Sequence, residues 1–226
     1  MTTLNEHEAF EMEALEFLSS KRLLGPLVFT GGTMLRLCHE LPRYSLDMDF
    51  WFAKETDVDG YLHRLCDAFE EKYSITDAQN KFHSLLVELQ KEKRRPKLKI
   101  EIRKEITHPG GMEEKIAYSR NYATQVLVKA STLKQMLKNK VDALLDRSEI
   151  RDAFDLEFLL RKGTDADLSK ETKHKILHRL KTFKKKDFDV KLGSILLPDL
   201  REYYRQNRFK WLEEKLSFEE WKTESS

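Results

Sequence analysis

LVFTGGTMLRLCHELPRYSLDMDFWF, residues 27–52, decides how the chain folds. The apolar run LVFT ends at Gly31-Gly32, which reads as a buried strand running into a tight turn. TMLRLCHEL resumes helical spacing, and Pro42 stops it. SLDMDFWF then alternates with period two. Asp47, Asp49 and Trp51 share one face of that strand, and Met48, Phe50 and Phe52 share the other. Two carboxylates about 7 Å apart at the backbone repel each other unless a cation lies between them. Hard cations such as Mg²⁺ take oxygen ligands of this kind. A strand that ends in two glycines and feeds a helix lets backbone N–H groups approach a phosphate. Each feature also has a plain reading, a solvated strand face for the acids and a simple turn for the glycines. No GK[ST] follows the glycines, and no GxGxxG is present, so neither a Walker loop nor a dinucleotide fingerprint is at hand.

Outward from this stretch, residues 4–24 and 57–72 carry helical apolar spacing. Residues 82–90 and 97–106 read as a strand pair joined by the basic connection EKRRP. In KLKIEIRKEI, Leu98, Ile100 and Ile102 face one way, and Lys99, Glu101 and Arg103 the other. Glu101 is a lone acid among apolar and basic neighbours. Two adjacent acids and a third on a neighbouring strand make a two-metal site for phosphoryl transfer. HPGG, residues 108–111, is a loop, and residues 126–130 are a last short strand. From Ser131, an expected N-cap, the pattern is helical to the end. The expectation is α+β: a mixed sheet flanked by helices over residues 1–130, then a helical domain over 131–226.

Composition narrows the class. The 226 residues are 40 % hydrophobic and 35 % charged, with mean hydropathy −0.63. No apolar run of about 18 residues exists, which excludes a membrane span. Thirteen Phe, seven Tyr and three Trp are too many for a disordered tail. Cys38 and Cys66 have no zinc spacing and read as small buried hydrophobes in a reducing compartment. Residues 1–20 hold five Glu and no Lys or Arg, unlike a signal peptide, so a cytoplasmic location is expected. Charge is split: residues 1–113 carry a net −4 and residues 114–226 a net +6. A basic C-terminal half suits a partner with a phosphate backbone, and equally a solvated, lysine-rich helix face.

Taken together, residues 27–52 resemble the DNA-polymerase-β-like nucleotidyltransferase superfamily, with its strand, glycine turn, helix and DxD strand. More narrowly, the chain is similar to the AbiEii-type nucleotidyltransferases, toxins of type IV toxin–antitoxin systems. Their GGTxLR and R-[YF]-S-x-D-[IL]-D-F pattern is met by Gly31, Gly32, Thr33, Leu35, Arg36, Arg43, Tyr44, Ser45, Asp47, Asp49 and Phe50, with Met48 in place of Ile or Leu. KIEI supplies Glu101 as the later acidic strand. A second block, K-x-x-A-L-x-x-R-x-x-x-R-D-x-x-D-L, is met by Lys140, Ala143, Leu144, Arg147, Arg151, Asp152, Asp155 and Leu156. The resemblance spans about residues 27–160.

It implies a nucleotidyltransferase that moves an NMP from an NTP to a hydroxyl and releases pyrophosphate. Asp47, Asp49 and Glu101 would bind two Mg²⁺, with Glu101 also taking the acceptor's proton. The Gly31 and Gly32 amides, with Thr33, Arg43 and Ser45, would hold the phosphates. Lys140 would grip the triphosphate and offset charge on the leaving group, Arg151 and Asp155 would join it at the NTP, and Arg151 with Asp152 or Asp155 would also brace the domain junction. An RNA acceptor such as a tRNA 3′ end and a protein antitoxin are implied as partners. A small-molecule acceptor and a degenerate nucleic-acid- or partner-binding module are the alternatives. On a continuous helix, Lys140, Arg147, Arg151 and Asp155 would share one face. His174 and His178 lack the Glu of HExxH and read as a solvated pair. YYRQNRFKW, residues 203–211, suits either base stacking or packing of Tyr204 and Trp211 against the body.

Overall fold

The computed structural model describes residues 3–91, 96–106, 109–165 and 167–224. It divides into two compact units, Met1–Thr132 and Leu133–Ser226. Residues 92–95 of the basic connection and His108 of the HPGG loop lie outside the described residues.

The first unit is built on a seven-stranded mixed sheet. Its strands are β1 (Leu27–Thr30), β2 (Asp47–Phe52), β3 (Ser74–Asn80), β4 (Ser84–Gln90), β5 (Lys97–Ile106), β6 (Met112–Ala117) and β7 (Val126–Ser131), in the order β3-β4-β5-β2-β1-β7-β6. β2 pairs parallel with β5, and β1 parallel with β7. The other neighbours are antiparallel. Five of these strands lie where the sequence placed them: β2 and the first half of β5 alternate, while β1 is buried at all four positions. The two edge strands, SITDAQN and MEEKIA, escape the sequence pattern, because an edge keeps polar and charged side chains that discourage pairing with another chain. Ser131 ends β7 instead of capping a helix.

Three helices belong to this unit: α1 (Thr3–Ser20), α2 (Gly31–His39) and α3 (Val58–Glu70). Met48, Phe50 and Phe52 of β2 and Leu98, Ile100 and Ile102 of β5 are all buried. Each such side chain stabilises the fold by about 1.5–3 kcal/mol. Phe29 stacks on Phe50 at 5.0 Å, and Phe52 meets Tyr61 of α3 edge-on at 5.4 Å. Phe17 of α1 stacks on Phe69 of α3. The helix after β1 starts at Gly31 itself, without an intervening turn. It ends where Glu40 adopts φ +62° and its N–H reaches the Leu35 carbonyl, two residues before Pro42.

α1 also brings polar groups inward. His7, Glu8 and Glu11 are all buried. Glu8 pairs with Arg36 at 2.7 Å and accepts from Asn121 at 3.0 Å. Glu11 lies 3.6 Å from His7 and 3.5 Å from the Thr33 hydroxyl oxygen. Burial, then the neighbouring Glu8 charge, pushes the Glu11 carboxyl well above its usual range, and Asp47 adds to this.

The second unit is helical: α4 (Leu133–Arg147), α5 (Ile150–Arg161), α6 (Lys170–Thr182), α7 (Pro198–Asn207) and α8 (Lys210–Glu224), with a π-helical turn over Asp187–Leu192. α4 and α5 are not one continuous helix, because Ser148 adopts φ +55° between them. The single charged face expected for Lys140–Asp155 therefore does not form. Tyr204 and Phe209 are buried, Tyr204 donates to Glu157 at 3.0 Å, and the Arg161 guanidinium lies 4.1 Å from the Trp211 ring centroid. The aromatic tail thus packs into its own unit. His174 and His178 are exposed. Both cysteines are free thiols, and burial pushes Cys38 up to about 12.

Glu11 gives the first unit a pH-dependent stability. The unfolded chain ionises this group near 4.5, and the folded chain only at higher pH. Its stabilising contribution is therefore full below 4.5 and is lost as pH rises through the folded value. Glu11→Gln is expected to raise Tm at about pH 8 and to leave it little changed at about pH 5, by several degrees per kcal/mol recovered. Thermal scans of both proteins across that range check this; equal gains at both pH values would contradict it.

Candidate active site

Cα register places the three expected acids. Asp49 stands opposite Glu101, and Asp47 opposite Lys99, across the parallel β2–β5 pair. Neighbouring strands lie about 4.8 Å apart, so Asp47, Asp49, Lys99 and Glu101 occupy one patch of one sheet face. The other face carries the buried residues of the same strands. All four side chains are half-buried.

The glycine pair at the start of α2 closes on this patch. Gly31 adopts φ +78°, and a Cβ there would lie 2.3 Å from Asp49 Oδ2. Only glycine lets the start of α2 come so close to the carboxylate. A Cβ on Gly32 would lie 2.5 Å from Arg43 Nη2 and 2.8 Å from Ser45 Oγ. Gly31, Gly32, Arg43, Ser45 and Asp49 are thus gathered at the N-terminus of α2, where unpaired N–H groups and the helix dipole favour an anion. Arg43 is buried and donates to the Tyr44 carbonyl at 2.8 Å.

Thr33 has a different environment. It is fully buried, and its hydroxyl donates to the Asp47 carbonyl at 2.6 Å. One residue earlier, His7 Nε2 donates to the Leu46 carbonyl at 2.9 Å. The backbone on both sides of Asp47 is therefore tied to helices. Arg36 reaches Glu8, the Leu41 carbonyl at 3.0 Å and the Tyr44 ring at 4.8 Å. Two invisible partners emerge here. His7 and Glu11 sit four apart on the inward side of the acidic first helix, a spacing that could have flagged them.

Glu101 is held from two sides. Ser84 Oγ donates to Oε1 at 3.1 Å, and Lys99 Nζ lies 3.0 Å from Oε2. Burial works to lift the Glu101 pKa, but the Lys99 hydrogen bond and charge, then Ser84 and Lys81, outweigh it and hold the carboxylate below its usual range. Burial works to lower the Lys99 pKa, yet its bond to Glu101 and the charges of Asp47, Glu101 and Asp49 raise it. Among the described residues no three His, Cys, Asp or Glu side chains are gathered around one point at metal-binding distance. The donor type fits a hard divalent cation. The present side-chain positions fit Lys99 as the cation among the acids.

The second block takes its own shape in the helical unit. The turn between α4 and α5 brings Lys140 Nζ to 3.1 Å from Asp152 Oδ1 and 2.7 Å from Asp155 Oδ2. All three groups are buried. Arg147 grips Asp152 with two N–H groups at 2.8 and 2.9 Å. Burial would lift Asp152, but Arg147 and Lys140 overcome it and lower its pKa. Arg151 is exposed.

Comparison with known proteins adds what geometry alone does not. JHP933 from Helicobacter pylori is 22 % identical, with 96 % of this chain and 97 % of that one aligned at TM-score 0.54, a likeness of fold. MenT4, a nucleotidyltransferase toxin from Mycobacterium tuberculosis, is 14 % identical over 92 % of this chain and 88 % of that one, at TM-score 0.47. No curated protein matches. Residues 14–224 match the family model for the nucleotidyl transferase AbiEii toxin of type IV toxin–antitoxin systems. That match takes in the glycine turn, all three acids and the Lys140 block, so the chain belongs to the AbiEii family of nucleotidyltransferase toxins.

Proposed function

We propose that this nucleotidyltransferase moves a nucleoside monophosphate from an NTP to a hydroxyl of RNA, with a tRNA 3′ end as the preferred acceptor. Two Mg²⁺ ions and a cognate protein antitoxin complete the reading, and the cytoplasm is its setting. The observation that carries it is the register: Glu101 stands beside Asp49, which in turn lies against Gly31 at the start of α2.

Each group has a task in that scheme. The N–H groups at Gly31 and Gly32, with Ser45 and the Arg43 guanidinium, cradle the phosphates of the NTP. Asp47, Asp49 and Glu101 offer the carboxylate oxygens that would hold the metal. Mg²⁺ held by these carboxylates would supply neutralisation of the charge that builds up on the phosphates during transfer. The acceptor oxygen attacks the α-phosphorus in line, the bond to the bridging oxygen breaks, and pyrophosphate leaves. Glu101, kept ionised, receives the hydroxyl proton. Thr33 and His7 keep the Asp47 backbone in place. The net +6 of residues 114–226 favours an RNA acceptor over a neutral small molecule. No helix among the described residues is long and apolar enough to cross a membrane.

Lys140 enters as the tie between α4 and α5. A direct grip on the triphosphate would require its ammonium to leave both Asp152 and Asp155.

Four outcomes test this reading. Incubation with each labelled NTP, Mg²⁺ and total RNA should label RNA, and EDTA should abolish the signal. Asp47→Asn with Asp49→Asn should lower transfer at least about a thousandfold; surviving activity would remove the acids from the chemistry. Gly31→Ala should cost about a hundredfold in kcat by displacing the Asp49 carboxylate, with only about 1–2 kcal/mol lost in stability. Parallel kinetics and thermal scans measure the two effects. Lys140→Met removes the buried ammonium that both Asp152 and Asp155 engage and should cost about 3–5 kcal/mol in urea unfolding. A collapse of transfer with unchanged unfolding would instead place Lys140 at the nucleotide.

A further inference from the structure

Lys99 has no part in the scheme above, yet it pairs with Glu101 and stands in register with Asp47 on the acidic patch. It is the register partner of Asp47 and lies two residues before Glu101 on the same face. Its Nζ lies 3.0 Å from Glu101 Oε2, while Ser84 engages Oε1. Both oxygens of the third acid are therefore already committed. Three carboxylates on adjacent strands would repel one another without a cation, and Lys99 is the cation in place.

From this placement we infer that Lys99 is a built-in counter-ion that competes with divalent metal for the Asp47–Asp49–Glu101 patch, so that the metal enters with the nucleotide and not ahead of it. The inference rests on the reading of those acids as the metal ligands. A metal ion needs Glu101 to release Lys99 and turn toward Asp49. The Lys99 side chain is 37 % exposed, so its ammonium can move to water on a flexible stem. An ion pair this exposed is weak enough to be displaced. A free divalent ion must displace Lys99 unaided. An ion carried by a triphosphate arrives with negative phosphates that receive the released ammonium. In this way the lysine keeps the patch folded and charge-compensated when it is empty.

The test is Mn²⁺ binding to the full chain without nucleotide, followed by electron paramagnetic resonance and calorimetry, in wild type, Lys99→Met, Lys99→Gln and Lys99→Arg. Removal of the charge should tighten Mn²⁺ binding about tenfold, as expected for loss of one like charge a few ångströms away. Lys99→Arg should stay close to wild type. Without metal, Lys99→Met and Lys99→Gln should melt below wild type, and Mn²⁺ should close that gap. Unchanged or weaker Mn²⁺ binding in both neutral variants would overturn the counter-ion role while leaving the metal site standing. Adding Asp47→Asn to Lys99→Met should abolish the tightened binding. If it does not, or if no protein binds Mn²⁺, the acids are not the metal site and both readings fall.

Discussion

The parallel pairing of β2 with β5 is the constraint on which the first unit depends. The side-chain period of a strand is two, so a slip of one residue would turn every side chain to the opposite face. Met48, Phe50 and Phe52 on β2, and Leu98, Ile100 and Ile102 on β5, are buried on one side. Their burial leaves Asp47, Asp49 and Glu101 no choice but the other side. The apolar residues thus set the positions of the charged ones. The cost is a group of like charges on adjacent strands, and Lys99 and Ser84 offset it.

Around this pair, the chain keeps the acids in place with backbone ties. Thr33 and His7 bind the carbonyls of Asp47 and Leu46. Gly31 and Gly32 let α2 start within van der Waals reach of Asp49, Arg43 and Ser45. The buried polar side chains of α1 that accompany these ties do not come free. Glu11 is carried in the interior with its carboxyl pushed upward by burial and by Glu8. A site organised for charge chemistry commonly perturbs the ionisable groups next to it.

The helical unit shows how one sequence block can be read correctly in composition and misread in geometry. Lys140, Asp152 and Asp155 do belong together, but not as neighbours along one helix face. Ser148 in a left-handed conformation folds α5 back on α4. The lysine then lies between two buried aspartates, one of them also held by Arg147. Breaking such a buried cluster is costly, so these four residues hold α4 against α5.

The sequence by itself determined the five interior strands, because burial on one face writes alternation into β2 and β5, and burial on both faces makes β1 a short apolar run. It also determined the break at Gly31-Gly32, the DxD strand and the family, since those rest on residues close together along the chain; the tight turn expected at the glycines is the first turn of α2 itself. It did not reveal β3 and β6, because edge strands read as polar loops. Nor could it show that Glu101 stands opposite Asp49, that Lys99 completes the patch, or that His7 reaches the Leu46 carbonyl. Asp49 and Glu101 are 52 positions apart and His7 and Leu46 are 39 apart. Only the packing of α1 and the pairing of β2 with β5 brings them together, and that is settled by the apolar core beneath them.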